Sequence, residues 1–481
     1  MKRKPMAVSI RATLFACLAV AASAASAEPR GTRPSDRKAR EIFARVVSIP
    51  TELGRNKVPE MAEYLAQEFR AAGFPAEDVV VTPFKFATGD QTATLVVRYR
   101  GDGTGGKPIL LLAHMDVVTA RREDWERDPY QLIEENGFFY GRGTQDIKQG
   151  IASLTATFLR LRKEGFRPKR DLVIYFSGDE ETAQETTVTM LREHRALLDA
   201  QFALNADSGG GTLDDDSGKA LYYTLQAAEK TYADFTLTAH NPGGHSSQPR
   251  ADNAIYDLAA ALIRVRDHGF PVMSNEITLA SFRAAARTTP GELGAAMAKF
   301  AANPRDEAAA AVIARSPSHV GWTRTTCVAT MLEGGHAPNA LPQTGSANVN
   351  CRIFPGVDVE VVRATLQKVA GDGVEVKLRI PVLSSDASPL RPDVVAAVTR
   401  AVHKLHPGVE VVPSQASGAT DGLVFRANGI PTYGVDGLFI RSKDDFSHGL
   451  NERIPVEGFY ASLDYWYFLL RDFAVNRQGA R

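Results

Sequence analysis

At 481 residues the chain exceeds the roughly 250–300 residues at which a single hydrophobic core stops growing, so two domains are expected. Apolar residues at 44% and charged residues at 23% are ordinary globular usage, which excludes collagen-like, coiled-coil and wholly disordered chains. Lys plus Arg equals Asp plus Glu at 56 each, with no basic stripe interleaved with aromatics, so neither nucleic acid nor an anionic membrane is an expected partner.

Lys2, Arg3, Lys4 and Arg11 precede an apolar run over about 12–24, followed by Ala25-Ser26-Ala27. This is the pattern of a cleavable secretory signal peptide over 1–27, and it predicts a periplasmic or secreted protein with no membrane contact after cleavage. The run is too short to span about 30 Å of hydrocarbon. Over 36–72, Ile42, Val46, Met61, Leu65 and Phe69 recur at helical spacing, interrupted around 50–54. Short apolar runs at 94–99, 109–113, 172–177 and 202–205 then alternate with helical patterns at 151–164 and 186–200. Alternating buried strands and helices predict an α/β fold, a mostly parallel central sheet flanked by helices. Ligands of such sheets bind at the carboxyl ends of the strands.

Past the Gly- and Asp-rich stretch 209–218 the pattern changes to alternating strands such as 232–238, Ala-rich helices at 253–266, 292–302 and 307–314, and two β-like runs, 325–332 and 345–353, around Asn339. From Asp393 a helix and the strand-like 429–435 resume the earlier style. The order is that of a catalytic domain in two parts, 28–221 and 383–481, with a smaller α+β domain inserted over 222–382. Cys327 and Cys351 lie one in each β-like run. A hairpin would let them pair in an oxidising compartment, whereas two small buried apolar residues read the same way.

Chemistry-bearing residues fall at the ends of the predicted strands. The run 109–113 delivers His114, with Asp116 two residues on; such a pair suits a metal-binding imidazole oriented by a carboxylate. The turn Gly141-Arg142-Gly143-Thr144-Gln145-Asp146 precedes a helix, where an Asp is either a ligand or a cap. In Ser177-Gly178-Asp179-Glu180-Glu181 adjacent acids repel one another unless a cation, solvent or a raised pKa relieves them. Asn205-Ala206-Asp207 ends another strand, and Phe446-Ser447-His448-Gly449 supplies a late histidine. Each motif is ordinary alone. Together they offer two imidazoles and several carboxylates at one sheet edge, a cysteine-free set suited to two zinc ions, with manganese or cobalt as alternatives.

In order and wording these motifs resemble the dinuclear zinc exopeptidases, which include aminoacylases, carnosinase-like dipeptidases, glutamate carboxypeptidases and succinyl-diaminopimelate desuccinylases. The resemblance implies that His114, Asp146, Glu181, Asp207 and His448 hold two zinc ions per chain, with Asp146 bridging and a cis peptide between it and Ile147. It implies Asp116 as the residue orienting His114 and Glu180 as the general base. Asp146-Ile147-Lys148-Gln149-Gly150 carries one residue more than the family's Asp-x-Lys-Gly. The segment Asn241-Pro242-Gly243-Gly244-His245 resembles the family's lid motif, whose histidine stabilises the substrate carbonyl, often across a dimer interface; a homodimer through the inserted domain is compatible with this. Asn339 and Arg352 resemble residues that hold a substrate carboxylate, and Gly418-Ala419-Thr420-Asp421-Gly422 the loop lining the pocket, which assigns Gly418 and Thr420 to substrate binding.

Three readings follow: a metallopeptidase cutting dipeptides or short peptides by metal-activated water, toward which Asp207 in place of Glu tilts; an N-acyl-amino-acid amidohydrolase with the same metal chemistry; and, from another class, a metal-free binding protein on the same scaffold, disfavoured because every ligand position is filled.

Overall fold

The computed structural model describes Met1 and residues 28–475, so the signal-peptide segment lies outside the described residues apart from Met1. Its centre is a ten-stranded sheet. In spatial order the strands are Val79–Lys85, Gln91–Tyr99, Leu172–Ser177, Ile109–His114, Phe202–Asn205, Thr432–Gly434, Ala220–Glu229, Gly210–Leu213 and Phe439–Arg441, with Glu410–Ala416 also paired to Ala220–Glu229. The four strands from Leu172–Ser177 to Thr432–Gly434 run parallel. Every residue of Ile109–His114 and Leu172–Ser177 is buried, as expected for strands covered on both faces.

Alternation along the strands divides the core into two layers. Ile109, Leu111 and Ala113 face a cluster built by the helices Pro34–Val47, Val58–Ala71, Lys148–Lys163, Pro392–Leu405 and Val456–Val475. Leu110 and Leu112 face the opposite cluster, where Met190, Leu191, Val424 and Phe425 of Glu185–Glu193 and Asp421–Ala427 pack. Period-two side-chain direction therefore determines which helix layer each residue meets. The predicted helix over 186–200 breaks at His194 into Glu185–Glu193 and Arg195–Leu198.

A second, antiparallel sheet has four strands in the order Thr326–Gly334, Thr344–Ile353, Thr231–His240, Val374–Leu378. Its apolar face packs on the helices Ala254–Asp267 and Val359–Ala370. Cys327 and Cys351 are register partners and form a disulfide, which settles the alternative left open by the sequence.

The boundary read at residue 222 falls inside the large-sheet strand Ala220–Glu229. The helices Glu276–Ala285, Gly291–Ala302 and Glu307–Ala314, counted with the insertion, form a cluster of their own. They lean on the large-sheet strand Glu410–Ala416, where Ser281 Oγ donates to the Pro413 carbonyl at 2.8 Å and Asn275 Nδ2 to Gln415 Oε1 at 3.1 Å. Ala-rich helices reveal their period but not their partner, so their docking site was not readable. Lys230 sits where the chain crosses from the large sheet to the small one. Its buried Nζ donates to the Arg324 carbonyl at 3.0 Å and Thr326 Oγ1 at 3.2 Å, tying that crossing to the start of Thr326–Gly334.

Candidate metal centre

His114 is the last residue of its strand and is 1% exposed. Its Nδ1 lies 3.0 Å from the Asp116 carbonyl oxygen. A carbonyl only accepts, so Nδ1 carries the hydrogen and Nε2 presents its lone pair. That Nε2 is 3.0 Å from Asp146 Oδ1 and 3.4 Å from Asp207 Oδ1. On the other side of Asp146, His448 Nε2 is 3.1 Å from Asp146 Oδ2 and 3.1 Å from Glu181 Oε2. The result is two ligand groups, His114–Asp146–Asp207 and Asp146–Glu181–His448, with one oxygen of Asp146 turned to each. Donor atoms bound at about 2.0–2.2 Å around a tetrahedral zinc stand roughly 3.3–3.6 Å apart, close to these separations, and the oxygen and nitrogen donors suit zinc, manganese or cobalt. The residues present therefore fit a dinuclear centre bridged by Asp146.

The electrostatics point the same way. Burial opposes the protonated form of His114, yet the carboxylates of Asp207, Asp116 and Asp146 outweigh it and raise its pKa well above the ordinary value. Hydrogen bonds that its ring donates to the Asp146 and Glu181 carboxylates push His448 up to about 10. Burial drives Asp207 up to about 8 despite His114, with Asp146 and Glu181 adding repulsion. Asp146 goes the other way: against burial, the imidazoles of His114 and His448 hold it well below the usual carboxylate range, and carboxylates gathered in this way around two imidazoles make a field that suits cations.

Glu180 stands beside the ligands. The backbone N–H groups of Glu180 and Glu181 donate to Asp116 Oδ1 and Oδ2 at 3.1 and 2.9 Å. Asp116 thus steadies His114 chiefly through its carbonyl, and its carboxylate, 3.5 Å from Nδ1, holds the turn that carries Glu180 and Glu181. Burial raises the Glu180 pKa well above the usual range, Asp207, Asp421 and Asp116 reinforcing it against His114. A carboxyl group with raised proton affinity is suited to accept and return a proton near neutral pH. The Asp146–Ile147 peptide is cis. The extra residue Gln149 is buried and its Nε2 donates to Asp436 Oδ2 at 3.0 Å.

The candidate substrate residues divide. Arg352 stacks on the Tyr232 ring at 4.6 Å and donates to the Ser417 carbonyl at 3.0 Å, which places it against the loop bearing the exposed Gly418. Thr420 is buried, and its hydroxyl is engaged: it accepts from Gly422 N at 3.0 Å, capping Asp421–Ala427, and donates to Glu229 Oε1 at 2.6 Å. Thr420 thus shapes the loop that carries Gly418. His245 and Asn339 come together at the tip of the small domain, where Ser246 N donates to the Asn339 carbonyl at 3.0 Å. His245 Nδ1 accepts from Ser247 N at 3.1 Å, which leaves an exposed Nε2–H as a free donor. Among the described residues no hydrogen bond or ion pair links His245 or Asn339 to the metal-ligand groups.

Sequence reasoning missed Asp421, which accepts from Thr187 Oγ1 at 2.6 Å and from Ser177 Oγ, and Glu452, which is fully buried beneath the Asp146 turn. Glu452 lies four positions after His448 and reads as a surface acid, with no local signal to mark it.

The model of peptidase family M20/M25/M40 matches residues 110–472. N-fatty-acyl-amino acid synthase/hydrolase PM20D1 of Xenopus tropicalis is 29% identical over 378 residues, covering 76% of this chain and 72% of that protein. Aminoacylase-1 of Mus musculus is 26% identical over 423 residues, covering 85% and 89%. The dipeptidase Dug1p of Saccharomyces cerevisiae shares the fold, with a TM-score of 0.67 at 16% identity over 92% of this chain and 97% of that one. The family match extends from the strand that delivers His114 to beyond His448, and the chain is accordingly a member of peptidase family M20/M25/M40 and a hydrolase.

Proposed function

We propose that this chain is an exported, two-metal amide hydrolase that cleaves N-acyl amino acids, with dipeptides and short peptides as the second substrate class. The observation that carries the reading is Asp146, which offers one carboxylate oxygen to each of two ligand groups beside a half-buried, proton-avid Glu180. Two zinc ions held there would supply a water of lowered pKa and a polarising centre for the scissile carbonyl. Glu180 takes the proton from the attacking water and returns it to the leaving nitrogen. The Nε2–H of His245 donates to the developing oxyanion when the tip of the small domain closes on the substrate. Arg352, Asn339 and the loop at Gly418 hold the substrate carboxylate, a task suited to a guanidinium.

N-acyl amino acids are favoured because the curated relatives include an N-fatty-acyl-amino acid synthase/hydrolase and an aminoacylase; peptides have the support of Asp207 and of a dipeptidase among the shared folds. The Cys327–Cys351 disulfide supports export to an oxidising compartment. Exposed Val328, Met331 and Leu332 on the edge strand, with Ile255, Tyr256 and Ile263 on the neighbouring helix, support a homodimer through the small domain.

A panel of acyl chain lengths and dipeptides, assayed on zinc-loaded protein with identification of the released ends, tests the substrate assignment. The proposal expects kcat/KM for N-acyl amino acids to exceed that for dipeptides by at least about tenfold. The reverse order would transfer the assignment to peptides, and no turnover of either class would overturn it.

A further inference from the structure

Asp146 and His448 are 302 positions apart in the numbering and ride on two irregular segments; the flanking strands Phe138–Tyr140 and Arg453–Pro455 pair antiparallel, but that pairing ends where Gly141 N donates to the Glu452 carbonyl at 3.0 Å, short of both residues. His114, Glu181 and Asp207, by contrast, follow the ends of paired parallel strands. Beyond that pairing, the two segments are joined by a buried ion pair. Glu452 is 0% exposed and Arg142 is 2% exposed. Glu452 Oε2 accepts from Arg142 Nη1 at 2.6 Å and Gly143 N at 3.0 Å, and Oε1 accepts from Gln145 N at 2.7 Å and Asp146 N at 3.0 Å. Arg142 Nη2 reaches the carbonyls of His448 and Gly449 at 3.4 and 3.2 Å. His448 itself has a left-handed backbone, φ 61°, a conformation that a non-glycine residue keeps only when its surroundings impose it. A second link runs alongside: Gln145 Nε2 donates to Asp445 Oδ1 at 2.7 Å, and Phe446 N donates to Gln145 Oε1 at 3.0 Å.

A buried ion pair is a poor source of net stability, because removing both charges from water costs about as much as their attraction returns. What it does supply is fixed geometry. Here each bond of the pair ends on the backbone of a ligand-bearing segment or on the pair itself. We propose that Glu452 and Arg142 are positioning residues: a clasp that fixes the distance between Asp146 and His448 and thereby controls the affinity of the Asp146–Glu181–His448 group for its metal, while the His114–Asp146–Asp207 group depends on it much less. Gln145 is its auxiliary link. This rests on the two-metal reading above and adds to it an asymmetry between the two sites.

The test is metal content and chelator competition on the full mature chain loaded with zinc, repeated with cobalt to follow the visible absorption of each site. The variants are Glu452→Gln, which removes the charge at constant shape, and Gln145→Ala, which cuts the auxiliary link without touching the buried pair. Glu229→Gln, which breaks a second buried ion pair, Glu229 Oε2–Arg426 Nη2 at 2.6 Å, serves as the control for general destabilisation. Wild type and Glu229→Gln are expected to hold two metals of similar affinity to each other's. Glu452→Gln is expected to hold one metal tightly and to release the other about 10–100-fold more readily, the usual effect of losing a group that orients ligands; Gln145→Ala is expected to shift the same site by less. Should Glu452→Gln fail to fold, Gln145→Ala alone decides. Retention of both metals as in wild type, or an equal weakening of both, overturns the clasp, whereas a wild type that binds fewer than two metals overturns the two-metal reading and the clasp with it.

Discussion

Glu180 is suspended from Asp116, whose two carboxylate oxygens accept the N–H groups of Glu180 and Glu181; in the proposed function this is how a base and a ligand, neighbours in sequence, do different work. Glu180→Gln preserves size and the backbone bonds but cannot take a proton. It is expected to retain both metals and to lose kcat by a factor on the order of a thousand or more; metal analysis and steady-state kinetics on one sample check both halves, and near-normal kcat would refute the role. At this scale the sequence was informative wherever a buried strand ended in a chemically unusual residue. His114 and Asp207 announced themselves in that way, and adjacent Glu180 and Glu181 did so by mutual repulsion. Glu452 did not, because burial of a lone acid near the C-terminus is a property of tertiary packing that leaves no local pattern. Thr420 reads alike as a helix cap and as a substrate contact, because both use the same hydroxyl; the cap is the part seen in the structure.

Among elements, the crossings between the two sheets carry a second set of consequences. Burial pushes the Lys230 ammonium down to about 7 from its ordinary 10.5. Between those values the unfolded chain binds the proton and the folded chain does not, so this group makes stability rise with pH over that window; below about 7 its penalty is fully present. The stability of Lys230→Met relative to wild type is therefore expected to be greatest below pH 7 and to fall as the pH approaches 10.5, as read by denaturant midpoints across that range. A difference that does not change with pH would contradict the assignment. In the small sheet, the Cys327–Cys351 disulfide closes a loop with a sequence separation of 24. Its removal in Cys327→Ser/Cys351→Ser is expected to cost about 3 kcal/mol, measurable by urea unfolding, with the metal content unchanged. The parallel strands were legible because continuous burial leaves long apolar runs, and the hairpin was legible because its two runs flank Asn339 symmetrically. The docking of the three helices from Glu276–Ala285 to Glu307–Ala314 was not, since their contacts with Glu410–Ala416 depend on strands far away in sequence.

For the molecule as a whole, two groups of candidate site residues are not linked by any hydrogen bond or ion pair among the described residues: the metal-ligand groups at the carboxyl ends of the parallel strands, and the His245–Asn339 tip of the small domain. In the proposed function, catalysis needs both, and the exposed apolar edge of the small domain offers a second copy as the means of bringing a tip to a site. If so, Val328→Glu with Leu332→Glu is expected to yield a monomer in light scattering that keeps its metals and loses most of its turnover; a monomeric wild type would contradict that arrangement. The central claim is narrower, namely that Asp146 bridges two metal ions. Anomalous diffraction at the zinc edge from crystals of the zinc-loaded protein measures this directly. The account predicts two peaks about 3.5–4 Å apart, one against His114 and Asp207 and the other against Glu181 and His448, with an Asp146 oxygen turned to each. A single peak, or two peaks that do not share Asp146, would contradict it.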